Sequence, residues 1–257
     1  MASIANDTAM LDELVNGSGD LHSLTAKMVF TQIPRDTSLK DIKKNYHDLR
    51  QDAKGYEFCF NYGGTDTTLV KNYGLTKARA KEIYDNYMSG FSGLRDYQEF
   101  RRKDVCEKGY ILINPITKHK AFIYDWDQLK EIADYINTRE YEYLSRNGGI
   151  DKESEKHLNR RLADSMKQSI NYPIQGTGAL CTKLAMIKFF RYLRNHDYLF
   201  KVKLCVVVHD EVDLECPEEI ADEISSILVK CMEEGAKPFC TRAKLSADVS
   251  IGDFWIH

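Results

Sequence analysis

The run Leu204-Cys-Val-Val-Val-His-Asp-Glu-Val-Asp-Leu-Glu215 constrains the fold more than any other stretch. Leu204 to Val208 is continuously apolar and mostly β-branched, the pattern of a buried strand. From Glu211 the pattern alternates. Val212 and Leu214 point one way and Glu211, Asp213 and Glu215 the other, as in a half-buried strand. His209 and Asp210 between them predict a β-hairpin with a two-residue turn. Tight hairpin turns favour Asn-Gly, Asp-Gly or Gly-X because they need positive φ. His-Asp is a poor geometric choice, which marks the turn as a candidate functional site. Asp210 and Glu211 offer hard oxygen ligands suited to Mg²⁺; the alternative is a solvated acidic turn.

A second constraint lies at residues 49–62. Projected onto a helix at 100° per residue, Leu49, Ala53, Tyr56 and Phe60 share one face. Arg50, Lys54, Glu57, Phe58 and Asn61 share the opposite, exposed one. Gly63-Gly64 ends the helix. Two cations one turn apart can hold successive phosphates, and the neighbouring ring can stack on a base or sugar. The alternative is a solvated basic face with one stray aromatic. Gly55 inside this helix lowers its stability and could bend it.

A third stretch, Ser169-Ile-Asn-Tyr-Pro-Ile-Gln-Gly-Thr-Gly178, precedes a helix with the apolar stripe Leu180, Leu184, Ile187 and Phe190. Asn171 and Gln175 can each donate and accept, which suits minor-groove atoms shared by all base pairs; alternatively they sit in a turn and at a helix end. Elsewhere the spacing predicts a ragged helix over 1–14 and a helix over 21–30 capped by Asp20. Another helix runs from Thr76 to about Met88, is broken at 90–93, and is followed by a charged helix over 94–108. A hairpin is expected from Gly109 to Tyr124, a helix from Pro217, and a strand over 244–251. Residues 125–161 read as two helices around the Gly-Gly loop at 147–149.

The 257 residues are 43% hydrophobic and 29% charged, with a net charge of −3, enough for one large domain or two small ones. A net acidic balance does not itself point to nucleic acid, though a local basic face can coexist with it. The seven cysteines show neither C-x-x-C nor zinc spacing and read as reduced thiols. No signal peptide and no membrane-length apolar run are seen. A cytoplasmic location, in a bacterial or phage-infected cell, is expected.

Three motifs resemble those of the family-A DNA polymerases, in family order. Arg50-Gln-Asp-Ala-Lys54-Gly-Tyr-Glu-Phe58-Cys-Phe-Asn-Tyr62-Gly63 fills every fixed position of the fingers-helix pattern Arg-x-x-x-Lys-x-x-x-Phe/Tyr-x-x-x-Tyr-Gly. Asn171-Tyr-Pro-Ile-Gln175-Gly-Thr resembles the Asn-x-Pro-x-Gln-Gly-Thr motif. Val208-His-Asp-Glu-Val212, followed by an acidic helix and Gly252-Asp-Phe-Trp255, resembles the last catalytic motif. Gly19-Asp-Leu-His22 resembles the Asp-Ile-His-Thr helix. The family's arginine-rich hairpin tip is replaced here by Lys118-His-Lys120.

The resemblance, which spares only about residues 125–161, implies an α+β fold: a helical fingers subdomain beside a palm with a small antiparallel sheet. Expected segments are 1–38 (first palm and fingers helices), 39–124 (fingers), 125–162 (an insertion) and 163–257 (palm). It implies template-directed transfer of a nucleotide from a dNTP to a primer 3′-OH on primer-template DNA, with two Mg²⁺ ions. His22, Arg50, Lys54, Phe58 and Tyr62 would bind the nucleotide. Lys167 (where the family usually has Arg), Asn171, Gln175 and His209 would contact DNA. Asp210, with Glu211 peripheral, would serve catalysis, Asp210 holding metal. The family's other metal-binding Asp falls before Met1, so a partner chain carrying that motif and the thumb is expected. Rival readings are a non-catalytic nucleotide- or nucleic-acid-binding fragment, a phosphohydrolase built on His209, Asp210 and Glu211, and a decaying fragment without a role.

Overall fold

Asp7 starts two helices at once. In the computed structural model, which describes residues 1–136 and 152–254, its buried carboxylate accepts from Met10 N and from Leu94 N, both at 3.0 Å. Helices α1 (Ala2–Ala5) and α2 (Thr8–Val15) replace the single ragged helix expected there. They part at Asn6, in the left-handed region, and at the Asp7 cap. The other contact fixes the first turn of α8 (Ser92–Lys108). Gly93 permits the approach, because a Cβ there would lie 2.6 Å from Asp7 Cα.

The chain divides into two compact units, Met1–Pro173 and Ile174–His257. The first contains α1 and α2, α3 (Leu21–Val29), α4 (Leu39–Asn45), α5 (His47–Asn61), α6 (Asp66–Tyr73), α7 (Lys77–Gly90) and α8. The antiparallel hairpin β1 (Tyr110–Asn114) and β2 (His119–Phe122) and helix α9 (Trp126–Ile136) follow. Asp20 and Thr76 cap α3 and α7, as the sequence predicts. Helix α6 had no reading in the sequence. The core is aromatic: Tyr87 meets Phe91 at 4.8 Å and Phe60 at 5.0 Å between ring centroids. Such pairs add about 0.5–1.5 kcal/mol each beyond simple burial. Helix α5 is continuous through Gly55. The glycine admits Tyr73, whose hydroxyl would lie 2.8 Å from a Cβ there.

Helix α10 (Lys152–Asn195) runs unbroken through Pro173, Gly176 and Gly178, a stretch read in the sequence as preceding a helix, with a turn as the alternative. Proline removes the amide that would bond the carbonyl four residues earlier, here Ser169. Helix α8 supplies a donor in its place and a second one beside it. Arg101 Nε donates to Ser169 O at 3.0 Å, and the Tyr97 hydroxyl to Ile170 O at 2.9 Å. The Pro-Gly signal is thus overridden by side-chain donors from another helix.

The second unit takes the rest of α10, the hairpin β3 (Lys203–Val208) and β4 (Glu211–Glu215), a 3₁₀ turn (Glu218–Ile220) and α11 (Ala221–Ala236). On α10 the buried stripe is Cys181, Thr182, Ala185, Phe189 and Leu193. The expected stripe is displaced: Leu180 and Leu184 are half-buried, and Ile187 and Phe190 are exposed. The reason is the close approach of α11, where a Cβ on Gly235 would lie 2.6 Å from Cys181 O and 2.7 Å from Ala185 N. Small residues face such a contact and larger ones flank it. The spacing predicts a buried stripe of Ile220, Ile224, Ile227, Leu228 and Cys231 on this last helix; Ile224, Leu228 and Cys231 are buried, and Ile220 and Ile227 are half-buried. Residues 244–251 are not a strand. Among the described residues they pair with no neighbour, and Leu245, Val249 and Ile251 are about half exposed. Tyr141, Tyr143, the Asn147-Gly-Gly149 loop and Trp255 lie outside the described residues.

Candidate active site

Helix α5 ends as its sequence dictates. Gly63 has φ +80°, Gly63 N donates to Phe60 O and Gly64 N to Cys59 O, a double bond pattern that satisfies the last carbonyls. Ala53, Tyr56 and Phe60 are buried, as projected. The opposite face is less open than projected. Lys54 and Phe58 are exposed, but Arg50, Asn61 and Glu57 are covered. Asn61 accepts from the Tyr87 hydroxyl at 2.9 Å. Glu57 is 6% exposed, a correction to its placement on a solvated face. A projection ranks residues by polarity and cannot show that α3 lies across them.

Helix α3 brings the candidate nucleotide residues together. Arg50 Nη2 and Nε donate to Asp20 at 2.9 and 3.3 Å, and Nε also reaches Ser23 Oγ at 3.1 Å. Burial alone would raise the Asp20 pKa; the hydrogen bonds from Arg50 and Ser23 outweigh it and hold the carboxyl at about 2. His22 Nδ1 lies 2.8 Å from Glu57 Oε2, and the His22 and Phe58 rings are 6.0 Å apart. Asp20 was legible only as a helix cap and Glu57 only as a polar position. Both prove to hold a candidate nucleotide residue in place.

Tyr62, half-buried at the end of α5, gives its carbonyl to Asn171 Nδ2 at 3.2 Å. Among the described residues the buried Asn171 Oδ1 meets no hydrogen-bond partner. Exposed Lys167 stands near by: its Cγ would lie 3.7 Å from a Cβ on Gly63. Burial raises the Cys59 thiol pKa, with Lys167 acting against it. Gln175 is exposed on α10 in the second unit.

In the second unit the hairpin pairs Val208 with Glu211, Val207 with Val212 and Leu204 with Leu214, with an irregularity between Leu204 and Val206. The turn is the expected His209-Asp210, and both residues are exposed. His209 adopts φ +53°, the left-handed geometry whose poor fit to a non-glycine residue first drew attention here. Such strain costs on the order of 1 kcal/mol and is retained where surroundings or function demand it. Every residue of β3 is exposed, so the buried strand read from its apolar run is a correction. Its apolarity is real, but no described element covers it. Among the described residues the buried Asp213 Oδ2 meets no hydrogen-bond partner.

The family model for DNA polymerase family A matches residues 1–257. The chain belongs to DNA polymerase family A. DNA polymerase I of Lactococcus lactis subsp. lactis is 29% identical over 256 residues, covering 99% of this chain and 24% of that protein. DNA polymerase I of Geobacillus stearothermophilus is 26% identical over 255 residues, again 99% of this chain and 24% of the relative. This family-A chain therefore spans about a quarter of the length of the curated relatives it matches. Its fold is that of the POL domain of Pol1 from M. smegmatis, solved in complex with DNA primer-template and dNTP: TM-score 0.68, 19% identity, covering 91% of this chain and 34% of that one. The α+β class is borne out by helices with two small antiparallel sheets. Among the described residues no helix is long and apolar enough to cross a membrane.

Magnesium fits the site in kind but not in number. Asp210 and Glu211 are hard oxygen donors at a hairpin turn. Among the described residues, however, no group of three or more His, Cys, Asp or Glu side chains is placed to hold a metal ion.

Proposed function

We propose that these residues form the nucleotide-binding and part of the catalytic apparatus of a template-directed DNA polymerase. Primer-template DNA and dNTPs are the substrates. The single observation that carries this reading is the assembly of His22, Arg50 and Phe58 between α3 and α5, on a helix that fills all five positions of the fingers pattern. The Arg50 fork offers planar donors matched to phosphate oxygens, and Lys54 adds an exposed point charge. Phe58, 47% exposed, presents a ring for stacking on the incoming nucleotide. Tyr62 sits beside the templating base in this reading. Asn171, Gln175, Lys167 and His209 contact the DNA, the two amides sensing minor-groove atoms common to every correct pair.

Asp210 and Glu211 would hold Mg²⁺, which when bound neutralises the triphosphate and activates the primer 3′-OH. The protein's part is positioning and charge rather than covalent chemistry. Two carboxylates side by side do not complete a two-metal site. In this reading a partner chain that also carries the thumb supplies a further carboxylate.

The nucleotide half is tested by equilibrium titration with a fluorescent dNTP. Arg50→Ala and Lys54→Ala are each expected to weaken binding about tenfold, the loss of one charge-assisted contact. Unchanged affinity in both variants would overturn the reading.

A further inference from the structure

Helix α5 buries a carboxylate that its motif leaves unassigned. Glu57 lies at a free position of the fingers pattern, yet it is among the buried residues of the helix, with Ala53, Tyr56 and Phe60. A carboxylate taken from water is costly unless donors meet it. Both its donors come from α3: His22 Nδ1 at 2.8 Å and Thr25 Oγ1 at 3.2 Å, each on Oε2. An ionised carboxylate only accepts, so the Nδ1 of His22 carries the proton at this contact. Turning the ring over would break that bond and set Cδ2, which offers no N–H, where Nδ1 now stands. Its side chain is 27% exposed, beside the Phe58 ring.

We propose that Glu57 is a positioning residue for His22. It fixes the rotation of the imidazole and keeps Nδ1–H on the carboxylate, so that Nε2 is the nitrogen offered to the phosphates of a bound nucleoside triphosphate. In a ring that carries both protons, Nδ1–H stays with Glu57 and Nε2–H is left to donate to a phosphate oxygen. The logic is that of a histidine ligand oriented through its second nitrogen. The inference rests on the nucleotide-binding reading above and adds to it a residue that never touches the substrate.

The test is a double-mutant cycle on the full chain, titrated calorimetrically with dATP and Mg²⁺. His22→Ala should weaken binding about tenfold and Glu57→Gln about three- to tenfold. In the His22→Ala background, Glu57→Gln should change affinity less than about twofold, because the two act as one unit. Equal losses in both backgrounds would overturn the proposal, as would an unaffected Glu57→Gln. A nitrogen-detected NMR spectrum of wild-type His22 gives a second readout that needs no variant to fold. The proton is expected on Nδ1 in the free protein, and a bare Nδ1 would refute the assignment. A wild-type chain that binds no dATP sinks the nucleotide reading and this proposal together. Binding that depends on His22 but not on Glu57 sinks this proposal alone.

Discussion

Replacing Asp20 by Asn isolates the charge that anchors Arg50. Asparagine still accepts from Ser23 N, so the cap of α3 survives. What is lost is the ion pair, with Arg50 Nη2 at 2.9 Å from Oδ1. The Asp20 pKa is about 2 against an ordinary 3.8. At 1.36 kcal/mol per unit this corresponds to about 2.4 kcal/mol as an upper bound. Partial solvent access to both side chains screens it, leaving about 1–2 kcal/mol. The folded-state pKa is depressed. The stabilisation is therefore complete above pH 3.8 and is lost as pH falls through about 2. Urea denaturation of wild type and Asp20→Asn should differ by about 1–2 kcal/mol at pH 7, with the gap closing as pH is lowered from 4 towards 2. A gap that stayed constant across that range, or no gap at pH 7, would refute the assignment of the shift to Arg50.

Other consequences follow from the packing. Arg101→Ala strips donors from Ser169 O and Leu112 O and leaves Asp104 buried beside Lys108 alone, a loss of about 3–5 kcal/mol in chemical denaturation. Pro173→Ala restores the helical amide to Ser169 and should reduce that loss measurably. Gly235→Ala forces a methyl into the backbone of α10, and its melting curve should show about 1–3 kcal/mol of destabilisation. If Gly235→Ala matched wild type, the close helix approach would be wrong.

Local rules were legible wherever one element decides its own shape. The α5 face Ala53, Tyr56 and Phe60, the glycine stop at Gly63, the Asp20 cap and both hairpins follow from spacing and local signals, the second hairpin in spite of its turn residues. What failed depends on a partner distant in sequence. Pro173 reads as a break until Arg101 arrives from α8 to take the freed Ser169 carbonyl. Glu57 reads as solvated until His22 and Thr25 cover it. The α10 stripe reads as Leu180 and Leu184 because hydropathy favours large residues, while Gly235 selects small ones. Residues 244–251 alternate like a strand, but alternation does not supply an edge to pair with. The placement of the candidate residues was legible for the same reason as the caps. Arg50, Lys54 and Phe58 lie on α5 with Tyr62 at its end, and His209 and Asp210 form one turn.

The central claim is that Asp210 is one part of a metal site completed from outside these residues. Primer extension measures it directly, with the pure 257-residue chain, labelled primer-template, dNTPs and Mg²⁺. The account predicts no extension by the chain alone. It predicts synthesis on mixing with a polypeptide that carries the family's first catalytic motif, abolished again by Asp210→Asn. Robust synthesis by the unassisted chain, or restored synthesis indifferent to Asp210→Asn, would contradict it.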